Sequence, residues 1–152
     1  MQCWLFKTEP DEFSIDDLKR VEREIWDGVR NYQARNFLRD EIKLNDRIFI
    51  YHSSCKQPAI VGIAKVCKAA FADPSQFDES SKYFDSKSTP EQPRWFSVEV
   101  RFEQKLRPIT LSVLKKDNQL EKMHLIQKGS RLSIQPVRQS EWAYILKAYG
   151  NE

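Results

Sequence analysis

Residues able to do acid–base or nucleophilic chemistry are few in this chain. It has two histidines, His52 and His124, in different parts of the sequence. His52 heads the run His52-Ser53-Ser54-Cys55, which strings a near-neutral base, two hydroxyls and a thiol together. A small hydrolase or nuclease working around His52, Ser53 and Cys55 is the catalytic reading of that run. Consecutive residues in an extended chain project to opposite faces, so such adjacency is poor evidence for a dyad. The acidic pairs Asp16-Asp17, Asp40-Glu41 and Asp78-Glu79 fall in helix or loop contexts and read as solvated faces. The four glycines are scattered, which leaves no phosphate-cradling loop. Cys3, Cys55 and Cys67 form no CxxC pair or His/Cys cluster. No metal and no cofactor are expected, and the odd, widely spaced cysteines point to a reducing compartment.

Binding chemistry is better supplied. The stretch Trp26-Asp27-Gly28-Val29-Arg30-Asn31-Tyr32-Gln33-Ala34-Arg35-Asn36-Phe37-Leu38-Arg39 gathers one glycine, three arginines and two asparagines around large aromatics. Asp27-Gly28 marks a turn, because glycine accepts backbone angles that a Cβ forbids. Asn31 then caps a helix on which Ala34, Phe37 and Leu38 share one face and Arg35 and Arg39 lie a turn apart on another. An aromatic ahead of a helix N-terminus, followed by arginines, suits a planar ring held near a phosphate. The competing reading makes Trp26 a core residue and Arg35 and Arg39 a solvated helical face.

A captured nucleobase needs a flat wall, partners for its edge and positive charge for the adjoining phosphate. Trp26 offers the wall, with stacking worth about 1–3 kcal/mol. Asn31, Ser53 and Gln135 offer edge partners. Lys7, Arg35, Arg39, Arg94 and Arg131 are the phosphate candidates. A wall that favours an added methyl discriminates by only about 1–3 kcal/mol, so modest selectivity is expected for a modified base.

The same stretch resembles the central motif of the EVE domain, a PUA-like family. The similarity extends to Trp4-Leu5-Phe6-Lys7-Thr8-Glu9-Pro10, Phe49-Ile50-Tyr51-His52-Ser53 and Ile60-Val61-Gly62-Ile63-Ala64. It continues through Pro93-Arg94-Trp95 and Arg131-Leu132-Ser133-Ile134-Gln135-Pro136-Val137. The resemblance implies a module that reads DNA or RNA at a modified base, such as methylcytosine, and does no chemistry. Matched position by position, it implies a pocket of Trp26, Asp27, Gly28, Val29, Asn31, Tyr32 and Ser53, with Tyr83 and Trp95 beside them. It also implies bacterial cytoplasm, or the nucleus in a eukaryote, and the absence of a basic N-terminal extension favours the bacterial type.

Composition is compatible with this. At 152 residues, 40% hydrophobic and 31% charged, the chain reads as one soluble globular domain over 1–152, expected to be monomeric. No run of eighteen apolar residues exists, and the first residues lack a basic leader. A net charge of +3 and a pI near 8.7 stop short of the value of about 9 above which basicity alone argues for nucleic acid. A pocket must then supply much of the selectivity.

The elements that position these residues follow from periodicity. Strands are expected at 3–6, 47–52, 59–67, 95–103 and 131–137. A helix should start at Ser14 with Asp17 at its third position, another at Thr110, a helical turn near Leu120 to Leu125, and a last helix capped by Ser140. The 59–67 strand is apolar on both faces; Gly62 marks a bend or close approach, and Cys67 a small core position. Along 95–103, Phe96, Val98, Val100 and Phe102 should face inward, and Ser97, Glu99, Arg101 and Glu103 outward. Along 131–137, Leu132, Ile134 and Pro136 should oppose Arg131, Ser133 and Gln135. Residues 73–93 show no periodicity and read as either a mobile surface loop or a cover carrying Tyr83. Short, irregular connections exclude repeated βαβ units. The fold class is α+β, a PUA-like open mixed β-barrel or strongly bent sheet with peripheral short helices.

Overall fold

A computed structural model describes residues 1–150. The elements are β1 (Cys3–Thr8), α1 (Ile15–Val21), β2 (Arg23–Ile25), α2 (Tyr32–Asn36), β3 (Arg47–His52), β4 (Ala59–Ala72), β5 (Phe96–Thr110), α3 (Leu111–Lys115), β6 (Ile134–Val137) and α4 (Gln139–Tyr149). A π-helical turn at Phe37–Glu41 extends α2, and 3₁₀ turns occur at Pro74–Phe77, Asn118–Leu120 and His124–Ile126. The six strands form one open mixed sheet in the order β2-β5-β4-β3-β1-β6. Among the described residues only the β1–β3 pair is parallel. This is the α+β architecture the sequence calls for.

The sheet is apolar on both faces because each face has its own core. Trp4 and Phe6 of β1 and Ile48 and Ile50 of β3 pack with Ile15, Leu18, Trp26, Ala34 and Leu38 on one side. Their neighbours Leu5, Phe49 and Tyr51 pack on the other with Leu114, Leu125, Trp142 and Ile145. Strand alternation thus feeds two hydrophobic layers rather than one layer and solvent. The α4 stripe is core, as its spacing implies, with the Trp142 ring stacked 3.8 Å from Phe49.

Local signals in the first half hold. Ser14 and Asp17 form the reciprocal capping box of α1, at 3.1 and 2.9 Å. Gly62 sits at a register shift in the β4–β5 pairing, where the strand bends.

Four expectations need correction. Cys67 is only half-buried and not a core residue. Ser97 is fully buried, because residues 73–93 fold onto the start of β5 and bond to the Trp95 carbonyl through the Asp73 amide (3.0 Å) and Gln76 Nε2 (2.8 Å). The last strand begins at Ile134, and Gln135 turns inward, its Nε2 donating to the Leu132 carbonyl at 2.8 Å and to Ser130 Oγ at 3.1 Å. The final helix starts at Gln139, with Glu141 accepting from the Arg138 amide at 3.0 Å, so Ser140 lies inside the first turn.

A Cβ at Gly62 would sit 2.3 Å from Ile15 Cδ1 and 2.9 Å from the Gln104 carbonyl oxygen. Gly62→Ala should therefore cost about 1–3 kcal/mol in overpacking, read as a lower urea midpoint with an unchanged m-value.

Candidate functional site

The 26–31 turn is built from the strand outward. The Trp26 amide donates to Val98 O of β5 at 2.9 Å, fixing the chain at the sheet. Gly28 then adopts φ +79°, and its amide donates to Asp73 Oδ2 at 2.8 Å. Asn31 Oδ1 caps α2 by accepting from the Ala34 amide at 3.0 Å, which leaves the two Nδ2 hydrogens for another partner.

Arg30, which the sequence does not single out from its neighbours, ties this turn to a segment more than forty residues away. Its Nη1 pairs with the buried Asp73 carboxylate at 2.9 Å, and its Nη2 donates to the Tyr83 carbonyl at 2.7 Å and to Ser75 Oγ at 3.2 Å. Asp73 Oδ1 accepts from the Ser75 amide and hydroxyl at 2.8 and 2.6 Å. The 73–93 segment is accordingly folded, with Asp73, Ser75, Gln76 and Ser88 buried. Tyr83 lies against the bare face of Gly28, where a Cβ would fall 2.6 Å from its ring.

Between these parts lies a cleft of about 480 Å³ lined by residues from 7–13, 24–31, 53–54, 83 and 130–133. Of the expected pocket, Trp26, Asp27, Gly28, Val29, Asn31, Ser53 and Tyr83 line it, as do Lys7 and Arg131 among the phosphate candidates. Trp26 is at once wall and core: it is 8% exposed and packs on Phe6 and Phe13, with ring centroids 5.4 and 6.1 Å away. Burial pushes the Lys7 ammonium pKa down. Burial, then the neighbouring Asp73 charge, pushes the Asp27 carboxyl up; burial, then Asp27, does the same to Glu24. The cleft thus holds groups poorly compensated by the protein itself, a condition typical of binding sites.

The other expected site residues lie outside the cleft lining. Tyr32 stacks on Trp95 at 4.9 Å, Arg35 flanks both rings at 4.8 and 6.0 Å, and Arg30 lies 5.2 Å from the Trp95 ring. Arg35 also donates to the Arg94 carbonyl at 2.6 Å, and Arg94 bonds the Tyr32 hydroxyl and pairs with Asp85 at 3.2 Å. Arg39 grips Asp40 with two bonds of 2.8 Å. Gln135 is in the sheet interior, away from the cleft. These side chains share a type with the cleft cations but have intramolecular partners that their spacing does not reveal.

The proposed dyad is not assembled. His52 Nε2 accepts the Ile15 amide at 3.1 Å, while Cys55 Sγ contacts the His52 backbone carbonyl at 3.8 Å. Among the described residues, no cluster of three His, Cys, Asp or Glu could hold a metal ion, and no helix is long and apolar enough to cross a membrane.

The family model described as the EVE domain matches residues 2–148. Mouse thymocyte nuclear protein 1 is 44% identical over 163 residues, covering 94% of this chain and 71% of its own. The chain spans about two thirds of the length of the curated relatives it matches, from 66% to 72%. A crystal structure of a Pseudomonas syringae protein superposes with a TM-score of 0.92 at 49% identity, over 96% of this chain and 98% of that one. Human THYN1, solved in complex with 5-methylcytosine-containing DNA, also superposes at 0.92, with 40% identity over 100% of this chain and 99% of its own.

Two measurements check the internal wiring of the site. Asp73→Ala should cost about 3–5 kcal/mol in urea unfolding, because it strands the Arg30 guanidinium beside a vacated buried site. Burial lowers the His52 pKa, and Nε2 must stay unprotonated to accept the Ile15 amide. Unfolded chains then take up a proton before folded ones as pH falls below the ordinary imidazole value, so stability present above that value is lost on acidification. His52→Gln should flatten that slope in Tm measured from pH 7 to 5.

Proposed function

The chain belongs to the EVE domain family, and from that premise we propose that it is a non-catalytic module capturing a modified nucleobase, 5-methylcytosine in DNA by preference, in the Trp26 cleft. The single observation that carries this reading is the content of the cleft. It offers an aromatic wall, acceptors of raised pKa and two cations, Lys7 and Arg131, that form no ion pair among the described residues, within one space of base-and-phosphate size. The DNA complex of the human relative supports the choice of ligand.

Roles follow from chemistry. Trp26 provides the stacking surface, and Tyr83 closes the side of Gly28. Cytosine presents an exocyclic amine that carboxylates accept, which suits Asp27 or Glu24. Asn31 Nδ2 and the Ser53 hydroxyl face the ring's acceptors. Lys7 and Arg131 meet the phosphate. Trp95 packs against Arg30, and Tyr32, Arg35 and Arg94 pack against Trp95, so this group supports the wall from outside the cleft lining. The occupied His52 imidazole favours binding over the hydrolase reading.

Trp26 is embedded in the core, so Trp26→Ala would cost about 3–5 kcal/mol of stability and confound its own test. Asp27 lines the cleft without being part of the core and makes the cleaner probe. Fluorescence titration with short DNA and RNA oligonucleotides, each with cytosine or 5-methylcytosine, should give tighter binding to methylated DNA by about 5- to 100-fold. Asp27→Ala should weaken that binding at least tenfold with Tm unchanged. Equal affinity for all four oligonucleotides, unmoved by Asp27→Ala, would sink the proposal.

A further inference from the structure

A second cleft of about 420 Å³ shares a wall with the first, since Lys7 and Ser130 line both. Its charged lining is Lys7, Lys115 and Lys128, with no carboxylate among them. The base cleft differs, setting Glu9, Glu12, Glu24 and Asp27 against its cations. So does the cleft beside Trp4, where Glu41 and Glu141 accompany Lys122 and Arg138. Lys7, Lys115, Lys128 and Arg131 form no ion pair among the described residues. Arg35, Arg39 and Arg94, by contrast, are held by the Arg94 carbonyl, Asp40 and Asp85. Lys128 and Lys115 thus set positive charge with no carboxylate beside the wall, Lys7 and Ser130, that the second cleft shares with the first.

The loop between these groups is shaped for close approach. Gly129 has φ +80° with open space where a Cβ would be, so a ligand can come up against the backbone. Ser130 Oγ accepts from Gln135 Nε2 at 3.1 Å, which leaves its own hydrogen free to donate outward. Cations, a hydroxyl and bare backbone without a competing carboxylate match a chain of phosphates rather than a base edge.

We infer that the second cleft is the track for the phosphodiester backbone flanking the captured base, with Lys115 and Lys128 as its cations and Lys7 as the saddle between clefts. This rests on the base-capture reading for its orientation. It assigns the non-specific share of affinity to lysines of α3 and the 128–130 loop, and not to the arginines of α2.

The test compares the wild-type protein with Lys115→Gln/Lys128→Gln and with a charge-matched control, Lys19→Gln/Lys122→Gln. Binding is measured to 5-methyl-dCMP and to methylated and unmethylated pentanucleotides across 25–200 mM salt. The track variant should bind the mononucleotide as wild type does. It should bind both pentanucleotides at least tenfold more weakly at low salt, with the slope of log K on log salt reduced by about 1.4 to 1.8. Its preference for methylcytosine should be unchanged, and the control should match wild type throughout. Pentanucleotide binding and slope equal to wild type would overturn the track while leaving base capture standing. An equal loss on the mononucleotide would also overturn it, placing the lysines in service of the base cleft. A reduced slope without methyl preference in any protein would keep the track and remove base capture.

Discussion

The Asp73 carboxylate is the point on which the site hangs. It has no exposure to water and accepts four hydrogen bonds, from the Gly28 amide, Arg30 Nη1, and the Ser75 amide and hydroxyl. A buried charge is tolerable only when its partners replace the water it loses, and here they come from two segments far apart in sequence. The left-handed turn at Gly28, the aim of Arg30 and the seat of Tyr83 all follow from that one group. The cleft wall is consequently a consequence of folding the 73–93 segment, not a property of the 26–31 turn alone.

Much of the fold is legible in the sequence because it is set by local rules. The Asn31 and Ser14 caps, the doubly apolar strands and the α4 stripe each depend on residues within a turn or a strand length. The cleft is legible in part for the same reason: Trp26 to Asn31 form one turn whose shape glycine and the cap dictate. What stays hidden depends on distant partners. Nothing near Asp73 shows that it will meet Arg30, and nothing in the spacing of Arg35, Arg39 and Arg94 distinguishes them from Lys7 and Arg131. Gln135 does lie opposite Ile134, but its face of β6 meets Leu5 and the second core instead of a cleft, and its amide satisfies the loop before it.

The Tyr32–Trp95 stack and the arginines around it give the motif residues a structural part that their types do not announce. Trp95 donates to Asp85 at 2.7 Å, and that bond, first among the influences on it, holds the Asp85 carboxyl below the ordinary range. Asp85 in turn pairs with Arg94. Aromatics and arginines of the kind that contact ligands here also bind the 73–93 segment through Asp85. A positively charged surface and a positively charged scaffold can be written with the same residues, and partners decide which is which.

The lining of the Trp26 cleft comes from five separated parts of the chain, spanning residues 7 to 133. No fragment smaller than nearly the whole fold carries it, so a partly unfolded molecule has no site. Whatever occupies the cleft is therefore bound by the native state alone and adds RT ln(1 + [L]/Kd) to global stability, about 2.7 kcal/mol at one hundred times Kd. For a domain whose total margin is on the order of 5–15 kcal/mol, occupancy becomes a sizeable part of what keeps the protein folded and out of reach of proteases.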